Sequence, residues 1–322
     1  MQYRTLGRTG LSVSEIGYGA WGIGQSMWIG ADDKESLRAL HTAIDRGLNF
    51  IDTAMAYGRG HSEQLIGQAL KERTERVFIA TKISPKNQRW PAQEGTPLRD
   101  AFPKDYIIEC TEKSLKNLQL DCIDLQQFHV WLDEWSLQDE WWEAILKLKE
   151  QGKIRFVGIS VNDHQPNSVI KAVKSGRIDS FQVIYNIFDQ SPEDELFPLC
   201  QKENIGIIAR VPFDEGSLTG QIKPDTVFPE RDWRHGYFRG DRKQQVWERV
   251  QKIEKEMKGE AADIAEFALR YILSNPVVST VIPGMRSVRN VERNCAVSDG
   301  RLLTAQTLQR MKAHRWVRNF YS

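Results

Sequence analysis

Cysteine and long apolar runs are both scarce in this sequence. Its 322 residues include only four cysteines, and no two of them form a CxxC pair. This scatter favours reduced, mostly buried thiols over a disulfide framework. No stretch is apolar over the length that a transmembrane helix needs, and residues 1–4 lack the apolar segment of a signal peptide. We therefore expect a cytoplasmic protein without a membrane partner.

An excess of charge of one sign is also missing. The 44 Lys and Arg residues nearly balance the 43 Asp and Glu residues, which leaves a formal net charge of +1. A balanced chain has no electrostatic reason to bind nucleic acid or an anionic membrane. The six histidines show neither the HxH nor the HExxH spacing of zinc sites, so a metal-dependent hydrolase would lack ligands. We expect neither a nucleic acid nor a metal as a partner.

The chain also lacks a supported Rossmann fingerprint. Gly17-x-Gly19-x-x-Gly22 matches the GxGxxG spacing of dinucleotide-binding loops and follows a predicted strand. That fingerprint requires a helix that begins at its last glycine, because the helix N-terminus binds the pyrophosphate. Here the loop continues until a helix is predicted to begin near Asp33. No tyrosine has a lysine four residues later, the pair that short-chain dehydrogenases carry.

What the sequence does contain is a regular alternation of apolar strands and amphipathic helices. The second predicted strand is typical, because the short apolar run of residues 48–51 is closed by a charged residue, Asp52. Helical patterns separate the strands, and no stretch resembles an interdomain linker. The predicted strands begin at Ile16 and at seven later runs: Leu48–Asp52, Val77–Thr81, Cys122–Leu125, Ile154–Ile159, Ser180–Val183, Gly206–Ala209 and Val277–Ile282.

This alternation predicts an α/β fold, a (β/α)8 TIM barrel, as a single domain over residues 1–322. Length alone would also suit two ordinary domains. Three additions account for the residues beyond a typical barrel: an N-terminal β-hairpin, long loops at the barrel mouth, and a C-terminal helix. The hairpin joins Tyr3–Leu6 to Leu11–Val13, and the helix spans Thr304–His314. The longest loop, residues 212–240, is rich in glycine, proline and charge.

Polar side chains follow three neighbouring strands. Asp52 closes the second strand, Lys82 and His129 follow the third and fourth, and Tyr57 lies in the loop after the second. The loops after barrel strands converge on one mouth, so these side chains are expected to meet. A cation lowers the pKa of a neighbouring phenol, and a carboxylate neutralises the buried cation, an arrangement that suits protonation of an alkoxide. A structural ion pair with a satisfied core histidine remains open as an alternative.

Longer motifs around these residues resemble those of the aldo-keto reductase superfamily. Residues 47–58, GLNFIDTAMAYG, are similar to the family's first signature. Lys82 in ATKI and His129 in DLQQFH occupy positions where the family carries its other catalytic residues. The resemblance implies Tyr57 as general acid/base, Lys82 and Asp52 as residues that tune it, and His129 as the residue that orients the carbonyl. It also implies a nicotinamide cofactor bound at the barrel mouth without a Rossmann fold.

The resemblance extends to residues that would bind the cofactor. Gln182 matches the glutamine that holds the nicotinamide amide, and Arg210 stands where many relatives place a stacking tyrosine, a role that a guanidinium plane can also fill. The turn at residues 283–286 resembles the adenosine-phosphate site. NADP(H) is favoured over NAD(H), because an arginine beside a helix N-terminus suits a 2′-phosphate. The implied cofactor residues are Ser160, Asn162, Gln182, Arg210, Gly284, Arg286, Asn290 and Asn294.

These residues predict an NADP(H)-dependent oxidoreductase that reduces aldehydes or ketones to alcohols by hydride transfer, with a small carbonyl compound as substrate. The alternative is a cofactor-sensing binding subunit of the potassium-channel β type, which would keep the same residues. The chain starts a few residues before the hairpin, without the extended N-terminal segment expected of such a subunit. We expect a monomer or a weak homo-oligomer. Four tryptophans on loops near the predicted mouth either line the substrate pocket or pack in the ordinary way: Trp21, Trp28, Trp90 and Trp131.

Overall fold

Residues 1–317, the part of the chain that this computed structural model describes, form two sheets. Residues 318–322, which complete the predicted single domain, lie outside the described part. The smaller sheet is an antiparallel hairpin of β1 (Tyr3–Thr5) and β2 (Ser12–Ser14). The larger has eight parallel strands in chain order: β3 (Tyr18–Gly19), β4 (Phe50–Asp52), β5 (Phe78–Ile83), β6 (Ile123–His129), β7 (Ile154–Ser160), β8 (Ser180–Ile184), β9 (Gly206–Arg210) and β10 (Val278–Val281).

The first and last strands of the larger sheet meet and close it into a barrel. Two isolated parallel bridges join the segments around β3 and β10, and the Gly17 amide donates to the Val281 carbonyl at 2.8 Å. A side chain at Gly19 would place its Cβ 2.6 Å from the Ile282 carbonyl oxygen. These glycines therefore permit close approach of two strands. The next α-helix begins only at Asp33, so the GxGxxG stretch is not a Rossmann loop.

The hairpin packs against the interior of the barrel at the end where the strands begin. Its buried side chains Leu6, Leu11 and Val13 form a small apolar core with inward-facing residues of the barrel strands, among them Phe50. Gly7 lies so close to the start of β9 that a Cβ there would be 2.2 Å from the Gly206 nitrogen. The hairpin thus covers one end of the barrel, and the carboxyl ends of the strands form its mouth.

Helices surround the sheet, and most of them bury one face, whereas α10 is buried along nearly all of its length. α1 shows the pattern, with Ala39, Leu40, Ala43 and Ile44 buried along a single stripe. No helix within residues 1–317 is both long enough and apolar enough to cross a membrane. The predicted barrel with its hairpin and C-terminal helix is confirmed. The helices are α1 (Asp33–Asp45), α2 (His61–Lys71), α3 (Leu98–Ala101), α4 (Lys104–Leu118), α5 (Glu140–Glu150), α6 (Ile170–Lys174), α7 (Leu196–Lys202), α8 (Trp233–Tyr237), α9 (Arg242–Glu256), α10 (Ile264–Leu273), α11 (Val288–Ala296) and α12 (Ala305–Met311).

Two of these helices, α3 and α8, lie where the sequence predicts only loops. Both are a single turn long, too short to show helical periodicity, and short helices depend on tertiary contacts. α8 is held by a buried polar group: Asp214 accepts hydrogen bonds from the Tyr237 hydroxyl at 2.7 Å and from the Arg242 guanidinium at 2.8 Å. This group ties the two ends of the segment 212–240, which follows β9, to each other and to the beginning of α9, and so fixes one wall of the mouth.

Candidate active site

Asp52 and Lys82 form a buried ion pair at the barrel mouth. Asp52 is the last residue of β4, and Lys82 lies near the end of the neighbouring strand β5. Lys82 Nζ donates to Asp52 Oδ2 at 2.5 Å and to the Thr53 carbonyl at 2.8 Å. The two side chains are only 3% and 0% exposed. Neighbouring parallel strands thus bring together charges that are 30 residues apart in the chain.

The second oxygen of Asp52 is satisfied by two amides. Gln127 Nε2 donates to Asp52 Oδ1 at 3.0 Å, and Gln182 Nε2 donates to the same oxygen at 2.7 Å. Sequence reasoning missed Gln127. A signal was available, because Gln127 lies two residues before His129 in β6, and residues two apart on a strand face the same side. Gln127 belongs to the site as a residue that orients Asp52.

Tyr57 completes the chain of contacts. Lys82 Nζ lies 3.1 Å from the Tyr57 hydroxyl and 4.8 Å from the centroid of its ring. Two glycines hold the Tyr57 loop against the loop after β3. A Cβ at Gly58, whose φ is +66°, would lie 2.0 Å from the Gly24 carbonyl oxygen, and a Cβ at Gly24 would lie 2.7 Å from the Tyr57 carbonyl carbon. Neither glycine can be replaced without moving the tyrosine.

The protonation states follow from burial and charge. Burial raises the pKa of Tyr57 more than the Lys82 ammonium lowers it, so the phenol is protonated at neutral pH. Lys82 therefore lowers the pKa of Tyr57, as the sequence predicts, but burial has the larger effect. Burial also lowers the pKa of Lys82, but Asp52 and Tyr57 together outweigh it and the pKa is raised, so Lys82 stays charged. The site presents a neutral acid beside a permanent cation.

His129 lies at the end of β6, and the strand register pairs it with Ser160, which is paired in turn with Gln182. Burial, then the positive charges of Lys82 and Arg210, hold the pKa of His129 well below its usual range, so the ring is neutral. Within the described residues, His129 Nδ1 and Ser160 Oγ are buried without a hydrogen-bond partner. Buried polar atoms are rarely left unpaired, so both atoms fit a polar ligand at the mouth.

The other residues expected at the nicotinamide end already have protein partners. Asn162 Oδ1 accepts from the Ala92 amide at 3.4 Å, and Asn162 Nδ2 donates to the Gln165 side chain at 3.2 Å. Arg210, the last residue of β9, donates to the Val161 carbonyl at 2.8 Å and pairs with Asp163. Asn162 thus tethers the loop that carries Trp90, and Arg210 joins the ends of two strands.

The predicted adenosine-phosphate site lies between β10 and α11. Gly284 has open space on the side where a side chain would project. Burial and the nearby Arg234 lower the pKa of Arg286, which donates to the Ile29 carbonyl at 2.8 Å. Asn290 is exposed, and Asn294 on the same helix face is 8% exposed. Sequence reasoning missed Glu35 of α1, whose carboxylate accepts the Val288 amide at the beginning of α11.

Comparison with known proteins decides the family. The sequence profile of the Aldo/keto reductase family matches residues 15–315. The chain belongs to this family. Uncharacterized oxidoreductase YqkF of Bacillus subtilis (strain 168) is 33% identical over 317 residues, which cover 98% of this chain and 96% of that protein. The holo form of aldo-keto reductase AKR11C1 from Bacillus halodurans is 30% identical, with 100% of both chains covered and a TM-score of 0.77. A probable voltage-gated potassium channel subunit beta of Oryza sativa subsp. japonica is 29% identical, with 97% of this chain and 96% of its own length covered.

In this aldo/keto reductase, indole rings flank both Tyr57 and His129. The Trp21 ring lies 6.4 Å from the Tyr57 ring and 5.8 Å from Trp28, and the Trp90 ring lies 5.1 Å from that of His129. These three tryptophans therefore stand where a substrate pocket is expected.

Two tryptophans depart from the sequence-based expectation. Trp131 does not line the mouth, because it is fully buried among Phe102, Phe128 and Trp141, and its indole N–H donates to Ser136 at 3.0 Å. Trp233 of α8, which no sequence pattern marked, takes a place in the wall, with its ring 6.2 Å from that of Trp21. The segment 212–240 brings it there.

Proposed function

We propose that this protein reduces aldehydes or ketones to alcohols by hydride transfer from NADPH, with Tyr57 as the proton donor. One observation carries the proposal: Lys82 Nζ contacts Asp52 and the Tyr57 hydroxyl at the same time. The Tyr57 hydroxyl has no carboxylate partner within residues 1–317, so its proton is available to a carbonyl oxygen at the mouth. The unpartnered atoms of His129 and Ser160 beside this group support a ligand at the same place.

Each member of the site has a separate task in this mechanism. When bound, a nicotinamide supplies the hydride to the carbonyl carbon. His129 is neutral, so one ring nitrogen donates a hydrogen bond that orients the carbonyl oxygen. Tyr57 gives its proton to the oxygen as negative charge develops there. Lys82 stabilises the phenolate that remains, and Asp52 keeps Lys82 charged.

The residues available for the cofactor divide into two groups along the mouth. At the nicotinamide end, Ser160 offers a free hydroxyl, Gln182 and Asn162 offer amides, and Arg210 offers a guanidinium plane for stacking. At the phosphate end, Gly284 gives room for close approach, Asn290 and Asn294 offer amides, and Arg286 offers a cation. The half-buried Arg286 beside a helix N-terminus supports NADP(H), because both favour an added phosphate.

The second candidate function is that of a cofactor-sensing binding subunit, because one relative is named as a potassium channel subunit. A cofactor-sensing binding subunit would keep the same four polar residues and bind the cofactor with little turnover. Turnover separates the two functions, since an enzyme should oxidise NADPH on the order of once per second or faster.

The test is a panel of aromatic and aliphatic aldehydes, ketones and sugars, with NADPH and NADH, followed by the absorbance of the reduced nicotinamide. We expect aldehydes to be reduced, with Trp21, Trp28 and Trp90 favouring apolar or aromatic side groups. Cofactor binding without oxidation by any carbonyl would favour the binding subunit. Absence of cofactor binding would reject both functions.

A further inference from the structure

Two buried glutamines from different strands contact one carboxylate oxygen and each other. Gln127 of β6 donates from Nε2 to Asp52 Oδ1 at 3.0 Å, and Gln182 of β8 donates from Nε2 to the same oxygen at 2.7 Å. Gln182 Nε2 also donates to Gln127 Oε1 at 3.3 Å. Both glutamines are at most 1% exposed. We call Gln127 and Gln182 the amide pair.

A glycine in the strand between the two glutamines makes room for their contact. β7 separates β6 from β8, and its Gly158 is in register with Gln127 on one side and with Ser180 on the other. A Cβ at Gly158 would lie 3.2 Å from Gln127 Cγ and 2.5 Å from Ser180 Oγ. The space that a side chain of β7 would fill is therefore left to the amide pair.

The Asp52 carboxylate fixes the orientation of both amides. An ionised carboxylate only accepts hydrogen bonds, so each glutamine has to turn its nitrogen towards Asp52 Oδ1. The second hydrogen of Gln182 Nε2 then goes to Gln127 Oε1. Both hydrogens of the Gln182 amide are thereby committed to the protein, and its oxygen is the atom left for a ligand. A ligand at this place has to carry a hydrogen-bond donor.

We propose that Gln127 is a positioning residue that links the proton donor to the residue that holds the nicotinamide amide. The inference rests on the proposed function, since it concerns the groups that act on Tyr57 and on the cofactor. Gln127 holds Asp52, the partner of Lys82, and it also holds Gln182 with its oxygen towards a carboxamide N–H. Both polar atoms of Gln127 are used in this way, so it acts only through its two neighbours.

The charges around Tyr57 give the direction of the effect. Burial is the largest cause of the raised pKa of Tyr57, and the negative charge of Asp52 adds to it. The neighbouring His129 is neutral. Because a hydrogen bond to a carboxylate offsets part of its charge, loss of Gln127 should leave Asp52 more negative and raise the pKa of Tyr57 further. The charged groups that act on this phenol come from three strands: Asp52 of β4, Lys82 of β5 and Arg210 of β9.

The preceding residue of the same strand supplies a matched control. Gln126 is as fully buried as Gln127, but it lies on the opposite side of β6, because successive residues of a strand alternate. Its amide donates to the Thr81 carbonyl at 3.4 Å instead of Asp52. Gln126→Met therefore removes a buried amide of the same size outside the site.

The first experiment follows Tyr57 itself in the protein without cofactor. The chain is labelled with fluorotyrosine, the resonance of Tyr57 is identified with Tyr57→Phe, and its fluorine NMR shift is recorded against pH. Fluorine acidifies the phenol, which brings the titration towards the range where the protein stays folded. We expect Gln127→Met to move this titration to higher pH and Gln126→Met to leave it at the wild-type position.

The second experiment is an equilibrium titration with NADPH, followed by the quenching of tryptophan fluorescence. In Gln127→Met the second hydrogen of the Gln182 amide loses its acceptor, so that amide is no longer held in one orientation. We expect NADPH to bind about threefold to tenfold more weakly to Gln127→Met and as in wild type to Gln126→Met. A merely structural role would lower the folded fraction without either change.

A conservative variant keeps the test decisive if Gln127→Met does not fold. The carboxyl of Gln127→Glu is buried beside Asp52, so its pKa is raised and the group is neutral below that pKa. In its neutral form it donates to Asp52 and accepts from Gln182, as the amide does. NADPH binding by Gln127→Glu should therefore match wild type at low pH and weaken as the carboxyl ionises.

The outcomes separate this inference from the proposed function. A wild-type titration of Tyr57 in Gln127→Met, or an equal shift in Gln126→Met, would overturn the action of Gln127 on the proton donor. Wild-type NADPH binding in Gln127→Met, or the same pH dependence of binding in Gln127→Glu and wild type, would overturn its action through Gln182. If the folded wild type binds neither NADPH nor NADH, the proposed function fails, and with it the link to the cofactor.

Discussion

Within residues 1–317, two buried groups combine a carboxylate, a cation and a phenol. In both groups the charged side chains are at most 5% exposed. We propose chemistry only for the group at the mouth, so composition and burial alone do not distinguish a catalytic group from a structural one. We call them the mouth triad, formed by Asp52, Lys82 and Tyr57, and the loop triad, formed by Asp214, Arg242 and Tyr237.

The two triads differ in where the phenol directs its proton. In the loop triad, the Tyr237 hydroxyl donates to Asp214 at 2.7 Å and accepts from Arg242 at 2.8 Å, and the residue is 7% exposed. In the mouth triad, the half-buried Tyr57 contacts the cation, and its hydroxyl has no carboxylate partner among residues 1–317. The proton of Tyr57 is therefore available to a substrate, while that of Tyr237 is committed to the protein.

The pKa values of Tyr57 and Tyr237 do not by themselves show which phenol can give its proton to a substrate. Burial raises the pKa of both phenols, and it is the largest cause in each case. The neighbouring charges then act differently, because Asp214 raises the pKa of Tyr237 further, whereas Lys82 lowers that of Tyr57. Geometry shows which phenol can act, and electrostatics shows how readily it does.

Removing each hydroxyl in turn is the most direct test of the difference between the two triads. Tyr57→Phe keeps the ring and removes the acid, so carbonyl reduction should fall by ~10²–10⁴ while NADPH affinity hardly changes. Tyr237→Phe should cost about 1–3 kcal/mol of unfolding free energy and leave turnover per folded molecule intact. Steady-state kinetics and denaturant unfolding measure both effects. Near-wild-type turnover in Tyr57→Phe would remove that residue from the mechanism.

Removing the cation of the mouth triad tests whether it acts on the phenol. Lys82→Met leaves Asp52 buried without its partner, which should cost about 3–5 kcal/mol of stability. Lys82 lowers the pKa of Tyr57, so its loss should move the pH–rate inflection of the phenol upward and slow reduction at neutral pH. The measurement is turnover per folded, cofactor-bound molecule as a function of pH. An unchanged profile would make the pair purely structural.

The matched change in the loop triad should affect stability alone. Arg242→Met leaves the Asp214 carboxylate buried without its cation, and we expect a loss of similar size, about 3–5 kcal/mol. Turnover of the molecules that remain folded should be preserved at temperatures well below the unfolding transition. A shifted pH–rate profile in this variant would contradict the division between the two triads.

The smallest expected effect concerns Arg286, which could either bind the cofactor or support a neighbouring loop. Arg286 is half-buried and contacts the Ile29 carbonyl. If it pairs with a 2′-phosphate, Arg286→Ala should weaken NADPH binding by about 1.5–3 kcal/mol and leave NADH binding unchanged. Fluorescence titration with both cofactors measures this. Equal losses for both would show that Arg286 supports the loop at Ile29, as Arg242 supports the segment 212–240.

Sequence alone was sufficient for the barrel and for the order of its strands, although β5 ends at Ile83 and not at the predicted Thr81, and β6 ends at His129 and not at the predicted Leu125. Each strand and its helix form a local pattern, which is why the helix predicted to begin near Asp33 is observed as α1 from that residue. A parallel barrel places the carboxyl ends of its strands at one mouth, so the sequence alone predicts that Asp52 and Lys82 meet there. Their contact of 2.5 Å in the structure agrees with that expectation.

Contacts between side chains that are far apart in the chain could not be predicted from the sequence. Glu35 and Val288 are 253 positions apart, and neither lies in a motif that names the other. A loop tryptophan likewise gives no sign of its direction, so Trp131 turned out to be a core residue while Trp233 entered the wall of the mouth. Periodicity reports which face of an element is buried. The partner that covers that face is set by how the loops and helices pack, which no local pattern contains.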